Sequence, residues 1–511
     1  MNTNDKLKSP RSLSVSKTNP LPAAGAQEVT RREFVRSAVA VAAGVAVSAG
    51  LVGASARAGA AESGMGKTSS KKTLIEPSRE IPILDEADVV VCGGGPAGVG
   101  AAISAARNGA KTILLEHGYC LGGTATSGLM NRLGPYHDQE KIILGGIPWE
   151  ILQRLIAMNA AASPVPCLQT DPDKYWVPFD PEAMKYVLDR MVEEAGVKVL
   201  FHSYSVGLVP GNGRRSGVIL ESKCGRRAIL AKVVVDATGD GDMAVAAGAS
   251  FDKGRAGDRL MQPMSIMFKV GEVERDEARQ YLAGHKEQLV RDVAAQGESI
   301  PRYIGAGTDN LLHKDEIYFN IDHVFGLDGT KVEDLSRAAM EARKQIWQSM
   351  AFAKKHIPGY EKSHLSVTAA RLGVRETRRI VGDYILTIDD VLGAKKFDDA
   401  ISRYACWVDI HTVVPGEKVS PYASKIPAPG TSYDIPYRCL LPAKVDNLLV
   451  AGRCFSATHE AFASARMMPS CMAMGQAAGT AAALAANQNV SPRNLNVQSL
   501  QNVLRQQGAM I

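Results

Sequence analysis

Apolar and polar positions of this chain alternate in blocks, and the clearest block runs from Asp88 to Glu116. Val89-Val90-Val91-Cys92 is an unbroken apolar run. It is followed by Gly93-Gly94-Gly95-Pro96-Ala97-Gly98, an alanine-rich stretch ending at Asn108-Gly109, and Lys111-Thr112-Ile113-Leu114-Leu115-Glu116. A short, wholly apolar run bounded by glycine predicts a strand buried on both faces. The stretch between the two glycine signals predicts a helix, with Ala101, Ala102, Ala105 and Ala106 keeping one face thin. The block therefore reads strand, glycine turn, helix, strand, acid.

Further along, Met184, Tyr186, Val187, Met191 and Val192 recur at helical spacing and predict a helix over Pro181–Ala195, followed by a strand over Val197–Val206. Arg214–Glu221 and Arg226–Leu230 flank the turn signal Ser222-Lys223-Cys224-Gly225 and predict a hairpin. Lys232–Asp236 predicts a separate central parallel strand. Ser336–Lys355 predicts an amphipathic helix, and Tyr384–Leu386, Val408–Ile410 and Asn447–Ala451 predict strands. Ser470–Ala486 is uncharged and contains Gly475 and Gly479. At about 17 residues it is short for a membrane span and reads as a buried helix.

The opening block has a mechanical reading. Gly93 permits the tight turn after the strand. Gly95, without a side chain, lets backbone approach a pyrophosphate. Gly98 lets the helix pack close to the sheet. The helix N-terminus directs N–H groups and a positive dipole end at the phosphates. Glu116, 23 positions after Gly93, stands where a ribose hydroxyl acceptor belongs. The block predicts a dinucleotide site.

The N-terminal pattern differs. Thr30-Arg31-Arg32-Glu33-Phe34-Val35-Arg36 precedes an uncharged stretch, Ser37 to Ala56, with small-residue cleavage signals at Ala58-Gly59-Ala60 and Ala54-Ser55-Ala56. This resembles a twin-arginine export signal and predicts delivery to the periplasm, or export otherwise, by the twin-arginine translocase. That route carries folded proteins, so a cofactor can be loaded beforehand. Of 59 basic and 53 acidic residues, eight and three lie in residues 1–60, which leaves 51 and 50 in the remainder. The basicity thus belongs to the leader, and no nucleic-acid partner is expected. None of the eight cysteines forms a C-x-x-C pair, so neither a metal site nor thioredoxin-like chemistry is expected.

Several segments together resemble one family. Val91 to Gly98 with Glu116 is similar to the FAD-binding start of the glutathione-reductase-like flavoproteins. Leu121-Gly122-Gly123-Thr124-Ala125-Thr126 resembles their segment under the flavin, and Asp236-Ala237-Thr238-Gly239-Asp240-Gly241-Asp242 their second stretch near FAD. Arg371 to Ile380 and Asn447 to Ala483 resemble the bacterial group named FAD-dependent oxidoreductases. The resemblance implies an α/β fold: a Rossmann-like FAD-binding lobe, a parallel sheet with helices assembled from discontinuous segments, plus an α+β substrate lobe. The implied division is 1–60 disordered N-region and signal, 61–80 linker, 81–130, 196–260 and 441–495 FAD lobe, 131–195 and 261–440 substrate lobe, and 496–511 a C-terminal helix or tail, with the folded part beginning near Ile81.

By position in these motifs, Gly93, Gly95, Ala97 and Gly98 meet the pyrophosphate, Glu116 the adenosine ribose, and Val206 the adenine through its backbone. Gly122, Gly123 and Thr124 run under the flavin, and Gly239 and Asp240 line the dinucleotide. Gly452, Arg453, Gly475, Gln476 and Ala477 approach the ribityl chain and the pyrimidine end. Thr124-Ala125-Thr126 stands where disulfide reductases of the superfamily carry their redox cysteines, so thiol–disulfide chemistry is not expected. A second dinucleotide fingerprint is missing, since glycine-rich Gly211–Gly217 lies in a hairpin-like setting.

His459 is a candidate acid or base, because its unperturbed pKa near 6.5 suits proton transfer. Arg371, Arg375, Arg378 and Arg379 form a basic cluster. If helical, the first three share a face; they read as an anchor for an acidic substrate group or as an ion-pair network with Glu376 or Asp383. Cys120 and Cys454 read as packing thiols, and Tyr136, His137 and Trp149 as pocket candidates by position. The implied activity is FAD-dependent hydride transfer with a small-molecule substrate, the electrons exchanged with quinone, cytochrome or oxygen. A redox-neutral flavin-dependent hydratase or isomerase and a non-catalytic FAD-binding protein are the alternatives.

Overall fold

The computed structural model describes residues 76, 78–209, 211, 215–301, 304–305, 307–309, 316–320 and 323–511. The export signal read at 30–60 lies outside the described residues. Every element below belongs to the unit Ser78–Ile511.

β1 (Ile83–Cys92) enters the glycine turn, α1 (Pro96–Arg107) leaves it, and β2 (Thr112–Leu115) returns parallel to β1 with Leu114 beside Val91. Pro96 opens α1, where its missing N–H costs nothing, and Gly109 at φ 82° takes the left-handed position that ends it. After α2 (Ile147–Ala157) and α3 (Pro181–Glu194), β3 (Lys198–Leu200) extends the sheet beyond β2. β4 (Tyr204–Val209), β5 (Ser216–Ser222) and β6 (Gly225–Asp236) form an antiparallel meander. The order is β3–β2–β1–β6–β5–β4.

Two sequence expectations change here. The strand over Val197–Val206 is broken, with His202 at φ 52° between β3 and β4. The strands read at Arg226–Leu230 and Lys232–Asp236 are one strand, β6. It pairs with β1 from Ala228 to Asp236, so its neighbour continues straight through the boundary.

β1 alternates between two cores, as a period of two requires. Val89 and Val91 join α1, α2 and α3 in one apolar cluster, while Val90 and Cys92 join Val234 and Met243 in another. Each such aliphatic side chain withdrawn from water contributes roughly 1.5–3 kcal/mol.

A third cluster surrounds a smaller sheet. β7 (Phe268–Gly271), β8 (Thr308–Asp309), β9 (Ile317–Phe319) and β10 (His364–Thr368) lie in the order β8–β9–β7–β10, all antiparallel. α4 (Arg275–Ala295) and α5 (Val332–His356) share its core through Leu282, Val293, Ala342 and Ile346. α4 carries few buried positions, so its sequence pattern did not announce it.

Tyr384–Leu386 and Val408–Ile410 are not strands. Leu386 makes one isolated bridge with Ala457, and Val408 pairs with the loop at Ser424 and Lys425. Ala400–Tyr404 and Tyr433–Pro436 form the antiparallel pair of that region instead. Three-residue segments are too short to encode a partner.

β11 (Leu448–Val450) returns to the main sheet, parallel to Val234–Asp236 of β6. α6 (His459–Ala465), α7 (Met468–Gln488) and α8 (Val497–Gln506) close the chain. α7 is almost wholly buried. Among the described residues no helix is long and apolar enough to cross a membrane.

Candidate dinucleotide site and its surroundings

The glycine turn is built as its residue types demand. Gly93 sits at φ 100°, and a Cβ there would lie 2.5 Å from Ala237 O. A Cβ on Gly98 would lie 1.7 Å from Gly93 O, so only glycine lets α1 start this close to β1. Gly95 is different: its backbone is extended (φ −71°, ψ −174°), and a Cβ would have nothing within 4 Å. Its face is the open mouth of the turn. Glu116 is buried beneath it. The Gly94 N–H donates to Oε2 at 2.6 Å and the Gly118 N–H to Oε1 at 2.7 Å, with His117 Nδ1 at 3.1 Å. Val206 is the extra residue of a β-bulge in β4, where the register shifts between Ser205 and Gly207. A bulge takes a residue out of the regular ladder.

The segment after β2 folds over the same mouth. The Gly122 N–H donates to Gly94 O at 2.8 Å, and a Cβ on Gly123 (φ 51°) would lie 3.1 Å from Gly95 Cα and 3.5 Å from Arg371 Nη1. Thr124 O accepts from the Met130 N–H, which turns the segment back. From the end of β11, Gly452 (φ 85°) meets Ala97, and a Cβ there would lie 2.8 Å from that of Ala97.

The stretch after β6 carries the charge. Asp236 is fully buried and accepts from the Thr238 N–H, the Thr238 hydroxyl and the Ala244 N–H; burial nevertheless pushes its carboxyl up to about 6. Asp240 accepts from Arg453 Nη2 at 2.8 Å and from the Thr377 hydroxyl at 2.6 Å. Burial pushes the Asp240 carboxyl up, but Arg453, Thr377 and Arg371 outweigh it and hold it below its usual value. Gly239, at φ 83°, has room only for hydrogen against Arg453. Arg453 Nη1 is buried with no hydrogen-bond partner among the described residues.

The four arginines of the basic cluster do not share a helical face. Residues 371–377 are irregular and lead into a short strand, Arg378–Ile380. Arg375 donates to Pro263 O, Ser265 Oγ and Asn320 Oδ1. Arg378 donates to Asp240 O and Asp242 Oδ1, both at 2.7 Å. Arg379 pairs with Glu376 and donates to Ala457 O and Gly254 O. Of the two acids read as cluster partners, Glu376 is one, whereas Asp383 pairs with Arg493.

His459 opens α6 behind the N-cap Thr458 and is buried. Its Nδ1 lies 2.8 Å from Glu376 Oε1, which also takes Arg379, while Glu376 Oε2 accepts from the Gln262 N–H. Glu376 is thus the hub of this cluster. Only its place among four arginines marked it in the sequence. Gln262 Oε1 accepts from the His411 N–H, and His411 Nδ1 meets His323 Nε2 at 3.2 Å. Burial, then the charges of Arg375, Arg466 and His323, hold the His411 ring far below its usual pKa. Sequence reading missed His411 and His323, since each stands alone in the chain.

Gly475, Gln476 and Ala477 lie two to three turns inside α7, not at its N-terminus. A Cβ on Gly475 would lie 2.0 Å from Ala97 O. Gln476 Oε1 accepts from the Ile147 N–H, its carbonyl accepts from Ser104 Oγ, and Ala477 is fully buried. Gly475 thus packs on α1, and Gln476 is fixed to both α1 and α2. Trp149 lines an apolar cleft with Ile142, Gln476 and Met510, and Tyr136 and His137 are buried. All eight cysteines are free; burial raises the Cys454 thiol well above its usual value, and Cys120 contacts Thr126 and Ser127.

A family model described as FAD dependent oxidoreductase matches residues 88–504. No curated protein matches the chain significantly. Among solved structures the chain is similar to a geranylgeranyl bacteriochlorophyll reductase-like protein from Thermoplasma acidophilum (13% identity, 83% of this chain and 84% of that one, TM-score 0.36). It is also similar to the OxyS anhydrotetracycline hydroxylase from Streptomyces rimosus (12%, 82% and 65%, TM-score 0.36) and to BexE, described in relation to oxidation during BE-7585A biosynthesis (14%, 79% and 63%, TM-score 0.39). Scores this low carry no argument about activity.

Proposed function

The chain belongs to the FAD dependent oxidoreductase family, and from that premise we propose that it is an exported enzyme moving a hydride between a small organic substrate and its flavin. FAD is its cofactor and, when bound, supplies two-electron chemistry at N5. Quinone, cytochrome or oxygen takes the electrons on the other side.

The observation that carries this reading is the convergence of Gly95, Gly123 and Glu116 on one mouth, with β11 delivering Gly452 and Arg453 beside it. The residues fit the cofactor. The open face of Gly95 and the N-terminus of α1 suit the pyrophosphate, together with Gly93, Ala97 and Gly98. Glu116 suits the ribose hydroxyls, exchanging its present backbone donors for them. Val206, lying on a bulge, suits the adenine. Gly122, Gly123 and Thr124 would lie under the flavin ring, Gly239 and Asp240 would line the dinucleotide, and the unpartnered Arg453 Nη1 is a ready donor.

His459 handles the proton. With Nδ1 held by Glu376, Nε2 is the nitrogen left to accept or donate. Arg375 and Arg378 direct their donors to protein atoms and position the residues around them.

The test is anaerobic. Purified protein should be yellow and release FAD on denaturation, and one member of a panel of acids, alcohols, amines and sugars should bleach the flavin. Turnover without net bleaching makes the enzyme redox-neutral, and a flavin that no small donor can reduce makes it a binding protein. Export rests on Arg31-Arg32 and the stretch behind them. Changing both arginines to lysine should hold the FAD-loaded protein in the cytoplasm; unchanged fractionation refutes that part.

A further inference from the structure

A diphosphate brings two full negative charges to the mouth of the glycine turn, where α1 offers only N–H groups and a partial charge. The nearby cations are mostly committed. Arg453 is paired with Asp240, Arg378 with Asp242, and Arg379 with Glu376. Arg371 is the exception. No hydrogen bond or ion pair of its guanidinium exists among the described residues, although its backbone N–H is fixed to Ser127 O at 3.1 Å.

Its position is specific. Arg371 Nη1 lies 3.5 Å from where a Cβ of Gly123 would be, and that same point is 3.1 Å from Gly95 Cα. The guanidinium therefore stands beside the one glycine of the turn whose face is open. Its charge reaches both flanks of the mouth: it helps to lower the pKa of Asp240 and of His117. An arginine there has the fork geometry that phosphate oxygens accept.

We propose that Arg371 is a cofactor-binding residue whose guanidinium engages the FAD pyrophosphate, making this arginine the cationic half of a cradle whose other half is backbone. The inference rests on FAD being the ligand of the glycine turn. It assigns Arg371 to the cofactor rather than to an acidic substrate or to an ion-pair network within the protein.

The test compares wild type, Arg371→Ala and Arg371→Lys. FAD affinity is read by flavin fluorescence on reconstitution of the apoprotein, with ADP and adenosine as competitors. Arg371→Ala should weaken FAD roughly 10- to 100-fold, the range of one or two charge-assisted hydrogen bonds. ADP should weaken by a similar factor and adenosine by less than about twofold, with lysine restoring part of the loss. FAD affinity unchanged in Arg371→Ala overturns the proposal. So does equal weakening of ADP and adenosine, which reports a distorted site, or a raised KM for substrate with FAD affinity intact, which reports a substrate anchor. If wild-type protein binds no FAD, the premise of FAD at this turn has failed, which is a different outcome.

Discussion

Two glycines three positions apart make different demands. Gly98 is needed by the fold, because any Cβ collides with Gly93 O, whereas Gly95 is needed only by a ligand, because its Cβ would meet nothing. Gly95→Glu should therefore fold with the melting temperature of wild-type apoprotein and carry no FAD, a contrast readable from absorbance and calorimetry. A variant with full stoichiometric flavin removes the basis for the site. His411 offers a second single-residue test. Its folded pKa is depressed, so the unfolded chain binds the extra proton first as pH falls below about 6.5, and stability is lost on acidification. One such group can contribute at most about 1.4 kcal/mol per pH unit. His411→Gln should narrow the stability loss between pH 7.5 and 5.5 in thermal melts, and parallel curves for the two proteins would rule His411 out as its source.

At the scale of elements, the cradle depends on how α7 meets α1. A Cβ on Gly475 would lie 2.0 Å from Ala97 O, one on Gly479 2.0 Å from Ala101 O, and one on Gly100 2.4 Å from Met472 O. Three glycines thus let two backbones nearly touch, and Ala97, pressed by both Gly475 and Gly452, is in the first turn of α1. Gly479→Leu forces the pair apart, with a cost of about 1–3 kcal/mol or more. It should lower both the melting temperature and FAD affinity, unlike Gly95→Glu, which touches affinity alone. An unchanged melting temperature would refute the close crossing.

Across the whole folded unit, Glu376 joins parts of the chain that lie far apart. It binds Arg379, His459 at the start of α6, and the backbone of Gln262 ahead of β7. Its neighbour Thr377 reaches Asp240 behind β6. Glu376→Gln leaves Arg379 buried without its counter-charge. Breaking a buried pair on one side costs about 3–5 kcal/mol, so the melting temperature should fall. Because the same carboxylate sets the orientation of His459, the pH profile of turnover should also shift. A variant with a shifted profile and unaltered stability would separate the two roles, while one with neither change would remove Glu376 from both.

The opening βαβ unit was legible in the chain because its information is local. Turn, helix and strand follow one another within thirty residues, and each glycine answers to a steric demand a few positions away. The helices Pro181–Glu194 and Met468–Gln488 were legible for the same reason. What could not be read was set by contacts distant in sequence. The joining of β6 into one strand follows from β1, the small residues of α7 serve α1, and Glu376 becomes a hub only when residues 262, 379 and 459 meet. By itself the sequence determined where a dinucleotide turn would form, since backbone sterics act between neighbours. Only the tertiary structure decided which charges surround it and which arginine remains for a ligand, since burial and Coulomb interactions act through space.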